Sequence, residues 1–93
     1  MYLVYIDGEG YCHKEFLKVF ENIDKAIDFV VDTAYEKSEH KFTKEYLKKL
    51  LIYRINDNSD NDGWWYVEYE KVYHSFGDYD YASVGIAKIE KGD

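Results

Sequence analysis

The sequence predicts a single α+β domain over residues 1–93, with an antiparallel sheet covered on one face by one main helix and one short helix, in the order ββααβββ. Three observations carry this reading. Ile23, Ala26, Ile27, Val30, Val31, Ala34 and Tyr35 advance by alternating steps of three and one, the pattern of one buried helical face. Trp64 to Tyr73 instead alternates with a period of two, as a strand does. A chain of 93 residues, 46% hydrophobic and without proline, supports one core rather than two.

The elements follow in order. Tyr2–Ile6 is a short run of strand formers ended by the turn Asp7-Gly8-Glu9-Gly10. Tyr11–Phe20 reads as a second strand, with Phe16, Lys18 and Phe20 on one side and Leu17 and Val19 on the other. Asn22 is an N-cap for a helix over Ile23–Ser38. Thr43 caps a shorter helix that turns Tyr46, Leu47, Leu50 and Leu51 inward, and Ile52–Asn56 is assigned to a strand. Trp64–Tyr73 sets Trp65, Val67, Tyr69 and Tyr73 on one face and Trp64, Tyr66, Glu68 and Glu70 on the other. Ala82–Ile89 is a last strand, weakened by Gly85.

Composition excludes several classes of function. An aromatic content of 19% allows enough burial to offset the entropy of ordering. The longest apolar run, Tyr2–Ile6, is too short to span a membrane and lacks the flanks of a signal peptide. Cys12 has no second cysteine to pair with, which fits a reducing, cytoplasmic setting. A net charge of −7 with Arg54 as the single arginine argues against direct nucleic-acid binding and against anionic membranes.

No catalytic constellation is present, so no enzyme is expected. Ser38, Ser59, Ser75 and Ser83 lack the glycine context of a nucleophile, and no phosphate-binding loop occurs. Cys12 and His13 are adjacent, so on a strand they leave opposite faces. Asn58, Asp60, Asp62 and Gly63 copy the first half of a calcium loop, but its twelfth position is Tyr69 where a bidentate Glu is needed. No metal or other cofactor is expected.

Charge is unevenly spread along the chain. Residues 1–36 hold 8 acids and 3 bases, residues 37–54 hold 2 and 6, and residues 55–93 hold 9 and 3. On the main helix Asp24, Asp28, Asp32 and Glu36 recur every four residues, each step turning about 40° around the axis, opposite the apolar face. A solvated helix face and a row of carboxylates imitating phosphates both fit this stripe. Trp64 and Tyr66 cannot face the same way as Trp65 and Val67. A sheet with one helical layer leaves them beside Glu68 and the Asp57, Asp60 and Asp62 loop as contact residues.

Small size, absence of proline, one cysteine, abundant Tyr, Asp, Glu and Lys, and acidic stripes without a catalytic motif resemble phage-encoded inhibitors of bacterial defence, anti-CRISPR proteins among them. The resemblance implies a viral protein that binds a CRISPR effector nuclease or a similar partner in its basic groove, in some cases as a DNA mimic, in the host cytoplasm. The expected partner-binding residues are Asp24, Asp28, Asp32, Glu36, Asp57, Asp60, Asp62, Trp64, Tyr66 and Glu68. The alternative is a small homo-oligomeric structural or regulatory domain. Trp64, Tyr66 and the opposite charges of the middle and outer blocks would then join the copies.

Overall fold

The computed structural model of the chain describes residues 1–8, 14–57, 63–73, 77 and 79–89. Among these residues four strands and two helices occur in the order β1 (Tyr2–Asp7), β2 (Glu15–Phe20), α1 (Ile23–Lys37), α2 (Lys44–Asn56), β3 (Trp64–Tyr73) and β4 (Tyr79–Lys88). The strands form one antiparallel sheet in the order β2-β1-β4-β3, so the fold is α+β and its edges are β2 and β3.

α1 starts as its sequence requires. The Asn22 side chain accepts a hydrogen bond from the Asp24 amide at 2.7 Å, satisfying one of the helix's unpaired donors. Ile27, Val30, Val31 and Ala34 are all buried, each between 0 and 6% exposed, as the three-and-one spacing predicts. After Ser38 the chain turns through Glu39 and His40, both at positive φ. The His40 ring stacks on Tyr35 with centroids 4.2 Å apart, and the His40 amide donates to the Tyr35 carbonyl, closing the turn that brings α2 back along α1.

Thr43 caps α2 by accepting from the Tyr46 amide at 3.1 Å. The helix then continues to Asn56, so Ile52–Asn56 is helical and the strand expected there, the third of the sequence reading, does not form. Strand propensity at Ile52 and Ile55 loses to spacing. Leu47, Leu51 and Ile55 lie four apart on one helical stripe, and the first two are fully buried. Tyr46 is 52% exposed rather than inward, because α2 lies over the edge strand β3 and buries only a narrow stripe.

One face of the sheet makes the core. Val4, Ile6, Val67, Tyr69, Ala82, Val84 and Ile86 meet the buried residues of both helices in a single cluster. A bulge at Leu17 pairs Lys18 with Val4 and Phe16 with Tyr5. Phe16 is thereby turned away from the face of Lys18 and Phe20, a correction to strict alternation along β2. Among the described residues the opposite face carries no helix: Leu3, Tyr5, Trp64, Tyr66, Gly85 and Ala87 follow one another across it by register.

Candidate interaction surfaces

The expected contact residues divide between two layers. Asp24, Asp28, Asp32 and Glu36 stand exposed on α1, on the helical side. Trp64, Tyr66 and Glu68 stand on the open face of the sheet, on the other side. Asp57 caps the C-terminus of α2, and Asp60 and Asp62 lie outside the described residues, as do Cys12, His13 and His74. No single surface unites the set.

The α1 stripe is a seam between the helices. Lys48 pairs with Asp28 at 3.6 Å, Lys44 with Asp32 at 3.1 Å, and His40 approaches Glu36 at 3.4 Å. Asp28 and Asp32, four apart on α1, are matched by Lys48 and Lys44, four apart on α2, and His40 in the turn continues the series to Glu36. These side chains are all more than half exposed, so each lysine pair contributes only about 0.2–1 kcal/mol. The effect on charge is larger. The two helices together hold five acids and six bases, +1, while the rest of the chain holds fourteen acids and six bases, −8. Lys44 and Lys48 belong to the basic middle block that the oligomer alternative turns toward a second copy, and here they are engaged with their own chain.

The open face is aromatic. The Trp64 ring meets Tyr5 edge-on at 5.2 Å and covers it, leaving Tyr5 3% exposed while Trp64 remains 41% exposed. Lys14 lies over the Trp64 ring, Nζ 5.3 Å from its centroid, and pairs with Asp7 at 3.7 Å. Tyr66, Phe16 and Val19 are exposed on the same face.

Arg54 connects the two layers. It belongs to α2, yet its guanidinium sits 5.0 Å from the centroid of Tyr66, whose side chain projects from the opposite face. To reach that ring it crosses the outer edge of β3. Its Nε is out of solvent without a hydrogen-bond partner, and the contact with the Tyr66 ring compensates part of that cost. Arg54, Asp57, Trp64, Trp65 and Tyr66 line a small cleft of about 100 Å³ there. Sequence reasoning missed this residue, since nothing in α2 marks a side chain that will pass round a strand.

Among the described residues no group of three or more His, Cys, Asp or Glu is placed to hold a metal ion, and no helix is long and apolar enough to cross a membrane. No protein-family model, curated protein or solved structure matches the chain.

Proposed function

We propose that this chain is a small, non-catalytic inhibitor that binds a protein partner through the open face of its sheet. The reading belongs with the phage anti-defence proteins that the composition resembles. One observation supports it above the others. Trp64 and Tyr66 stand exposed on the sheet face opposite the helices, in the part of the chain that carries −8. An aromatic centre with a polar, charged rim is the anatomy of a protein interface, and the net −8 of the chain outside the helices would favour a basic groove such as a nucleic-acid-binding effector presents. A second copy of the chain suits this face poorly, because both partners would bring the same charge.

The α1 stripe has no part in this contact. Its central carboxylates are paired with lysines and the helical layer is positive overall, so phosphate mimicry, if used, falls to Asp57, Glu68 and the acids that follow Asp57 in sequence. The test is competition on a purified CRISPR effector nuclease, in the cytoplasmic setting where such an inhibitor would work. The chain should bind the free effector, fail to bind it once DNA is loaded, and lose affinity on Trp64→Ala. Simultaneous occupancy by chain and DNA would overturn the groove reading.

A further inference from the structure

β2 is an edge strand exposed along almost its whole length. Glu15 and Lys18 are exposed, Phe16 is 57%, Leu17 37% and Val19 45% exposed, and β1 is the only strand that pairs with it among the described residues. Edge strands are usually guarded by charge, proline or a bulge, since a bare edge is a template for another strand. β2 has the bulge and two charges, but these charges are of opposite sign and three residues apart.

The run Glu15-Phe16-Leu17-Lys18 is therefore complementary to itself when reversed. We infer that β2 pairs antiparallel with β2 of a second copy about a two-fold axis normal to the sheet. In this register Glu15 faces Lys18 of the other copy and Phe16 faces its Leu17. The faces agree. Glu15 is partnered by Ile6 and Lys18 by Val4, so the bulge puts both on the helical side, and a two-fold axis normal to the sheet keeps each face on its own side. Shifting the register by one residue loses the two ion pairs. The bulge at Leu17 lies next to the axis and shortens the new ladder, so the association is weak and reversible. It leaves Trp64 and Tyr66 uncovered on the opposite half of each sheet, which makes it independent of the partner-binding reading.

Analytical ultracentrifugation of the full chain into the hundreds of micromolar tests this. Wild type should show a monomer–dimer equilibrium. Lys18→Glu and Glu15→Lys should each weaken it by about tenfold, because two attractive pairs become two repulsive ones. The double variant carrying both changes should restore it. Amides of Glu15–Lys18 should gain hydrogen-exchange protection with concentration, a readout that does not depend on any variant folding. A wild type that stays monomeric overturns the inference. So do single variants that dimerise normally, or a double variant that fails to recover. Trp64→Ala should leave the equilibrium unchanged, so failure here and failure of the partner-binding reading are distinguishable.

Discussion

The hydroxyl of Tyr5 on β1 lies 2.8 Å from the point where a side chain on Gly85 of β4 would begin. Tyr5, Gly85 and Tyr66 stand side by side across three strands, and the missing side chain is the space that the Tyr5 ring fills on its way to Trp64. Glycine weakens a strand on its own, and an aromatic neighbour lying over it supplies the packing it lacks. The glycine that makes the last strand look weak in sequence is a requirement of the aromatic face.

Gly85→Ala should accordingly destabilise the fold by about 1–3 kcal/mol, the usual cost of forcing atoms into a filled site. The new methyl group would meet the Trp65 carbonyl and the Tyr66 Cβ as well as Tyr5. Thermal unfolding measures the loss. Near-ultraviolet circular dichroism should change with it, as Tyr5 is displaced from Trp64.

The helical seam makes a contrasting prediction. A double-mutant cycle on Asp32 and Lys44 should return a coupling of about 0.2–1 kcal/mol that shrinks as salt is added. The same cycle on Asp24 and Lys48, a helical turn out of step, should return nothing measurable.

The helical assignment of residues 52–56 is tested by two neighbouring substitutions. Leu51→Ala empties a fully buried position and should cost about 2–5 kcal/mol. Ile52 is 37% exposed on the same helix, and Ile52→Ala should change stability by less than about 1 kcal/mol, lost contact being offset by better helix propensity. On a strand Leu51 would share its face with Tyr53, which is 67% exposed on the helix, so a loss on Tyr53→Ala as large as that on Leu51→Ala would favour the strand.

Trp64→Ala should separate stability from binding. Removing one partner of the Tyr5 pair should cost about 0.5–1.5 kcal/mol of pair energy beyond the area uncovered. If Trp64 anchors the interface, affinity for the effector should fall by about 2 kcal/mol or more, mostly through a faster off-rate. Calorimetric melting and surface plasmon resonance on the same preparation report the two separately.

What could be read from the sequence was what local spacing controls. Asn22, Thr43 and the apolar face of α1 are set within a turn or two of the chain, and each is where its neighbours require it. Ile52–Asn56 was misread because β-branched residues favour strands locally, whereas the stripe through Leu47, Leu51 and Ile55 becomes decisive only when a sheet lies beneath it. The bulge at Leu17 had no local marker. The seam was legible in principle: acids every four residues before a turn and Lys44 and Lys48 at the same interval after it describe an antiparallel helical hairpin. Taking the acids as a stripe on a lone helix hid their partners. The passage of Arg54 round β3 depends on where α2 comes to rest, which no single segment encodes.

The two edges of the sheet are not equivalent, and this bears on how far assembly can proceed. Beside β3 lie the helix α2 and the Arg54 guanidinium at the Tyr66 ring, whereas β2 is exposed from Glu15 to Val19. A sheet with two bare edges can recruit copies head to tail without end and grow into filaments. A sheet with one bare edge uses that edge up in the first encounter. If β2 pairs as inferred, the arginine that joins the two layers would also bear on how far such an assembly grows.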